Sequence, residues 1–253
     1  MASQENHVHK QHHIDMQAGD IAPTVLVPEY KEHVELFASL VSDARKVAQK
    51  REYLSYIGKS DGLEISCTSS GIGTSPNAIG TEELIRIGAK NLIRLGSCQV
   101  IQPHIKAGDV IIPIGAVRDE RAMEEFIPID YPAYADFRIL RALIDACQKV
   151  GLNYHLGIIR THDALYLESQ WAEGDLKDRI QKWVDLDVVA LDNESSAMFV
   201  TASMQGVRAG ALLLCGHLIT EGPQEFPQEA EMMKKMMMAG IEAAKVLHAR
   251  QLD

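Results

Sequence analysis

Three things are scarce in this sequence, and each scarcity removes a class of function. There is no surplus of basic residues: 25 Lys and Arg stand against 35 Asp and Glu, for a formal net charge of −10. Binding nucleic acid through its phosphates needs a basic stripe, so that partner is excluded. No apolar run is long enough to cross a bilayer, and the start of the chain has no apolar secretory segment; a cytoplasmic protein without a membrane partner is expected. Cysteine is sparse. Cys67, Cys98, Cys147 and Cys215 sit singly, with no Cys-x-x-Cys pair, which reads as reduced packing thiols. Histidines cluster at the start (His7, His9, His12, His13), but no second group of Cys or acidic ligands at fixed spacing accompanies them. The stretch 1–12 therefore reads as a flexible solvated tail, and no metal site is expected.

What is present is a globular α/β pattern. The 253 residues are 46% hydrophobic, enough for one large core. Residues 24–28 read as a short buried strand. From His33 to Val47 the apolar residues Val34, Phe37, Leu40, Val41 and Ala44 fall at helical spacing. Tyr53–Ile57 and Leu63–Cys67 read as strands joined by a turn-rich segment. A small-residue loop, Ser69-Ser70-Gly71-Ile72-Gly73-Thr74-Ser75-Pro76, leads into a helix running to about Gly88. Further strands are expected over Asn91–Leu95, Val110–Val117, His155–Arg160, Val188–Leu191 and Ala209–Cys215. Helices are expected over Phe137–Val150, Ser195–Met204 and Glu229–Arg250. Strands alternating with helices point to a layered α/β fold.

One stretch carries chemistry. The strand Asn91–Leu95 runs into Gly96-Ser97-Cys98, with Arg94 near its end. A guanidinium offers a planar fork to two oxygens, and a serine hydroxyl with its backbone N–H adds donors, so the pattern suits an oxyanion. The plain alternative is a solvated arginine followed by an ordinary turn.

Taken together, several separated segments resemble the nucleoside phosphorylase family of hexameric uridine phosphorylases and bacterial-type purine nucleoside phosphorylases. They are His13-Ile14 with Gly19-Asp20, Asp43-Ala44-Arg45 and Arg51, Ser70-Gly71-Ile72-Gly73, Arg94-Leu95-Gly96-Ser97-Cys98, Gln102-Pro103-His104, Gly108-Asp109-Val110, Ala135-Asp136-Phe137, Glu194-Ser195-Ser196-Ala197 and Gly206-Val207-Arg208-Ala209. The resemblance implies one three-layer α/β/α domain over 13–253, with a central mixed, partly barrel-like sheet. It implies cleavage of a nucleoside's N-glycosidic bond by phosphorolysis, giving ribose 1-phosphate and free base, with inorganic phosphate as co-substrate and no cofactor. Arg94 and Ser97 would hold phosphate, with Arg51 supplied by a neighbouring subunit. Glu194 and Asn193 would hold the ribose, and His13, again from the neighbour, would reach the 5′-hydroxyl. Leu165, Tyr166 and Gln170 would face the base. A dimer would be the minimal active unit, and three dimers a hexamer.

The sequence departs from the family's pattern at three places. The phosphate loop, normally Gly-Asp-Pro-x-Arg, is here Glu29-Tyr30-Lys31-Glu32-His33, so donors are lost and a carboxylate is added. The aspartate that protonates a leaving purine is absent from Cys215-Gly216-His217, which leaves His217 as the candidate acid. The uridine-type glutamine and arginine are reduced to Gln170 without an accompanying arginine. Around the ribose, Glu-Met-Glu has become Asp192-Asn193-Glu194. Three readings therefore stand: a phosphorylase of altered specificity, a hydrolase in which Glu29, Glu32 or Glu35 activates water, and a non-catalytic binding or storage protein. A salt bridge from the arginines to Glu29 would fill the anion site and favour the last.

Overall fold

The computed structural model describes residues 10–167, 169, 171–222 and 224–250. The first half holds β1 (Thr24–Pro28), α1 (Lys31–Leu40), β2 (Ser42–Lys50), β3 (Tyr53–Ser60), β4 (Leu63–Thr68), α2 (Thr74–Arg86), β5 (Asn91–Val100) and β6 (Val110–Asp119). The second half holds β7 (Ala133–Tyr134), α3 (Phe137–Val150), β8 (Tyr154–His162), α4 (Leu176–Asp185), β9 (Val188–Asp192), α5 (Ser195–Met204), β10 (Arg208–Leu218) and α6 (Glu229–Ala249). The strands form one mixed sheet in the order β10-β6-β8-β9-β5-β1-β4-β3-β2, with β7 on β6. β10 also pairs with β5, which closes the first five strands of that order into a barrel.

Alternation along the central strands assigns their two faces, as a period of two requires. Val25 and Val27 of β1 and Leu92 of β5 join one core with Leu84 of α2 and Phe199 of α5. Leu26, Ile93 and Leu95 join the other, with Phe37 of α1, Leu143 of α3 and Met236 of α6. Helices thus cover both faces, and the sheet is the middle of three layers. α3 shows why its boundaries are readable from residues alone. The Asp136 side chain accepts from the Arg138 N–H at 2.8 Å, and Gly151 ends the helix at φ 75°. All four cysteines are buried with free thiols. Among the described residues no helix is long and apolar enough to cross a membrane.

Two expectations need correction. The helical spacing over 33–47 belongs to two elements: α1 stops at Leu40, and 42–50 is the strand β2. β2 is a mostly exposed strand at the end of the sheet order. It carries no alternating apolar face, so its Ala44 and Val47, with Val41 just before it, mimic a helix period by chance. Gly58 on β3 has no side chain where Val41 packs; a Cβ there would lie 2.4 Å from Val41 Cγ2. The second correction concerns β5, which runs through Gly96 and Ser97 to Val100 instead of turning there. Gly96 and Ser97 pair with Leu213 and Leu214 of β10. The strand β2, the short β7 and the helix α4 had no counterpart in the sequence reading. Of the expected tail, 1–9 lies outside the described residues. His12 and His13 belong to a turn closed by Asp15 N–H to Gln11 O at 3.1 Å, and Ile14 and Met16 beside it are fully buried.

Candidate active site

The ends of β1 and β9, the middle of β5 and the starts of α2 and α5 meet at one point, and Arg94 is its centre. Its side chain is completely buried. Nη2 donates to Glu29 Oε1 at 2.7 Å and to Glu194 Oε2, and lies 3.5 Å from Asp192 Oδ2. Such a site needs a bare backbone beside the guanidinium. At Gly96 any Cβ would stand 1.5 Å from Arg94 Nη1 and 2.5 Å from Glu29 Oε1, so glycine serves here as clearance.

Each carboxylate is fixed from a second direction. Glu194, just before α5, accepts the Gly73 N–H at 2.7 Å. Gly73 has φ 95°, a conformation open to glycine, which turns the start of α2 toward that carboxylate. Asp192 accepts from Thr161 Oγ1 at 2.6 Å and from the Ser195 N–H at 2.9 Å. Glu29 accepts from the Ser97 N–H at 3.2 Å and faces Ser97 Oγ at 3.4 Å. Its own backbone carbonyl accepts the Gly71 N–H at 3.1 Å.

Three carboxylates around one guanidinium leave the centre rich in negative charge. Burial lowers the Arg94 pKa, but Glu194, Glu29 and Asp192 outweigh it, and the net shift is upward. Arg94 is therefore a permanent cation. Glu194 is pushed up to about 7, chiefly by burial, with Arg94 opposing and Glu29 and Asp192 adding repulsion. Burial, then Glu29 and Glu194, also raises the Tyr30 hydroxyl.

One cavity opens on this centre and a second lies beside it. The first, ≈ 130 Å³, is bounded by Glu29, Tyr30, Ser97, Leu165, Asn193 and Glu194, among others. The second, ≈ 460 Å³, includes Leu176, His217, Phe226 and Glu229 in its wall. Cys98 and Gln99 line both, so the spaces adjoin. A charged compartment beside a larger one with an aromatic wall suits a ligand with a hydrogen-bonding half and a flat half.

Ser97, Glu194, Asn193 and Leu165 come together at the smaller cavity, where Asn193 Nδ2 also donates to the His162 carbonyl, and Arg94 lies buried behind its wall, bonded to the lining residues Glu29 and Glu194. His217 faces the larger cavity; its Nε2 lies 3.1 Å from the Glu225 carbonyl and its ring stands edge-on to Phe226. Tyr166 is 72% exposed and lines neither cavity. Gln170 lies outside the described residues. Arg51 sits exposed in the turn between β2 and β3 with φ 53°. His13 is held by Glu83, with Nδ1 to Oε1 at 2.7 Å and its backbone N–H at 3.0 Å from Oε2. Neither Arg51 nor His13 lines these cavities within one chain. The anticipated salt bridge to Glu29 forms from Arg94. The sequence reading missed Tyr30, Gln99 and Phe226 as lining residues, since nothing in their local pattern marks them.

Comparison with known proteins agrees with this architecture. The phosphorylase superfamily matches residues 23–250. A uridine phosphorylase of Thermococcus kodakarensis is 37% identical over 243 residues, covering 94% of this chain and 86% of the relative. A guanosine phosphorylase of Halorubrum lacusprofundi is 30% identical, covering 88% and 92%. The crystal structure of a uridine phosphorylase from Vibrio fischeri superposes with a TM-score of 0.85 at 31% identity, covering 95% of this chain and 98% of that one. The chain belongs to the phosphorylase superfamily and is an enzyme of its nucleoside phosphorylase branch.

Proposed function

We propose, with membership of the phosphorylase superfamily as the premise, that this enzyme cleaves the N-glycosidic bond of a nucleoside by phosphorolysis. The relatives are named for uridine and guanosine, so the substrate class is a nucleoside and the base is left open. A phosphate oxygen attacks C1′ from beneath the ring, the C1′–N bond breaks, and its electron pair leaves with the base, which takes up a proton. The products are ribose 1-phosphate and free base.

The observation that carries this reading is the convergence of Ser97, Asn193 and Glu194 on a small cavity that adjoins a larger one, with the Arg94 guanidinium directly behind its wall on Glu29 and Glu194. Arg94 and the Ser97 donors hold the anion. Glu194 accepts from the ribose hydroxyls with Asn193 beside it, which fixes C1′ over the nucleophile. The base lies past Leu165 toward the larger cavity, where His217 is placed to donate to it. As the bond breaks, positive charge grows on the sugar and negative charge on the base. The anion beneath and the donor above stabilise the two ends. Arg51 and His13 complete the site from a neighbouring subunit, which makes the working form a homo-oligomer with a dimer as its minimum and a hexamer of three dimers as its full assembly. Phosphate is the co-substrate, no cofactor takes part, and the setting is the cytoplasm.

One observation favours a second reading. The Glu29 carboxylate rests on Arg94 and Ser97; by itself that salt bridge favours a non-catalytic protein, but in an enzyme of this family a carboxylate bordering the cavity is also a candidate to activate water for hydrolysis. Incubation with a panel of purine and pyrimidine nucleosides, with and without phosphate, separates the two. Ribose 1-phosphate formed only with phosphate supports phosphorolysis. Free ribose formed without phosphate overturns it in favour of hydrolysis, and no turnover under either condition overturns both.

A further inference from the structure

The anion donors of this site are already holding an anion that belongs to the chain. We propose that Glu29 is the specificity-determining residue of the phosphate site: its carboxylate is an internal occupant that inorganic phosphate must displace before it can bind. The inference rests on the reading that Arg94 and Ser97 form the phosphate site, and it goes further by identifying what controls entry.

The geometry is that of a ligand grip. Arg94 Nη2 meets one Glu29 oxygen at 2.7 Å, the Ser97 N–H meets the same oxygen at 3.2 Å, and Ser97 Oγ lies 3.4 Å from the other. These donors take two oxygens of a carboxylate as they would take two oxygens of a phosphate. The glutamate is 6% exposed and the arginine 0%, so the contact is desolvated. The guanidinium also has capacity left over. Arg94 Nε and Nη1 are buried without a hydrogen-bond partner. A carboxylate with two oxygens leaves them unanswered, and a tetrahedral anion has more oxygens to offer.

Displacement is a side-chain event. The backbone at this point is pinned by Ser70 N–H to Pro28 O at 2.8 Å and Gly71 N–H to Glu29 O at 3.1 Å. The Glu29 side chain borders the ≈ 130 Å³ cavity, which gives it room to rotate without moving β1. Phosphate affinity is then the intrinsic affinity of the donors multiplied by the fraction of molecules in which Glu29 has swung clear. With Glu194 and Asp192 also facing Arg94, a second anion beside an undisplaced Glu29 would add repulsion with no compensating cation.

The test is direct binding of inorganic phosphate by calorimetry, without nucleoside, to the wild type, Glu29→Gln and Glu29→Gly, each checked for a cooperative unfolding transition. Removing the competing charge should tighten binding roughly ten- to a hundredfold, in line with the loss of a charge-assisted hydrogen bond as competitor. A crystal of the wild type soaked in phosphate should show the Glu29 carboxylate rotated off Arg94. Wild-type affinity equal to that of the folded variants overturns the proposal. So does a soaked crystal with Glu29 still on Arg94, whether or not the variants fold. The reaction proposed above fails separately: variants that bind phosphate more tightly while no nucleoside is turned over leave the internal occupant standing and remove the chemistry.

Discussion

Glu29 and Glu194 accept hydrogen bonds from the same nitrogen, Nη2 of Arg94. One residue follows β1 and the other precedes α5, so a single guanidinium ties two sides of the site together. Whatever draws Arg94 toward one glutamate changes its hold on the other. Four measurements follow from this arrangement and its surroundings.

Arg94→Ala removes the guanidinium that faces Glu29, Glu194 and Asp192. Leaving buried carboxylates without their partner costs about 3–5 kcal/mol. Urea denaturation should show that loss. Pairing the change with Glu29→Ala should destabilise by less than the sum of the two single changes, because one charge then has no orphan to leave. Additive losses would show that Glu29 and Arg94 do not interact.

Gly96→Ala puts a methyl where Arg94 Nη1 and Glu29 Oε1 already are. Both side chains are enclosed, so the methyl can be fitted only by forcing the guanidinium out of line, at a cost of about 1–3 kcal/mol. The midpoint of thermal unfolding should fall, and turnover should fall further than stability alone explains. A variant with unchanged melting and activity would mean that the packing around β5 is looser than described.

The proton on Glu194 gives a signed dependence on pH. Its pKa is about 7 in the fold against an ordinary 4.5, so the folded protein holds that proton more tightly than the unfolded chain does. The contribution to stability is fully present below pH 4.5 and is lost as the pH rises through about 7. Denaturation of the wild type against Glu194→Gln, which cannot titrate there, should show the wild type losing ground across that window. A gap that stays constant or moves the other way contradicts the assignment. Because a carboxylate is the form that accepts from ribose hydroxyls, kcat/KM should rise across the same interval.

Subunit sharing can be tested by mixing. Arg51 lies on an exposed turn and does not line the cavity that Glu194 borders. If Arg51 serves the neighbour's site, Arg51→Ala and Glu194→Ala are each inactive alone. Mixed after dissociation and reassembly, they should regain part of the wild-type rate, because some dimers then carry one intact site. Mixtures as inactive as their components would confine the site to one chain.

Most of the framework was legible because local rules and global packing agree. Phe137–Val150 announces itself by an aspartate before it, a glycine after it and an apolar stripe between. The helix Ser195–Met204 is readable from its small apolar residues because it is buried almost throughout. Where sequence reasoning failed, two signals competed. Gly96-Ser97 looks like a turn because glycine punctuates turns, yet the glycine is there to clear a side chain two residues earlier. β2 escaped notice because an exposed strand in the order Ser-Asp-Ala-Arg-Lys-Val-Ala-Gln-Lys has no buried face to impose alternation. The substitution at Glu29 stood out in the sequence as a departure. That its carboxylate would seat on Arg94 is a long-range fact, set by the register of β1 on β5.

β2 ends the strand order of the sheet, whereas the opposite half is closed by the pairing of β10 with β5. An open strand presents unpaired backbone groups and invites another chain to dock by adding a strand, a route to fibrils and precipitates. Here that margin carries Asp43, Arg45, Lys46 and Lys50, and the ladder beneath it slips between Ser42 and Arg45 and again between Lys46 and Ala48. Charge and irregular register together discourage such stacking. Neutralising Arg45 and Lys46 should therefore turn a quiet border into an adhesive one.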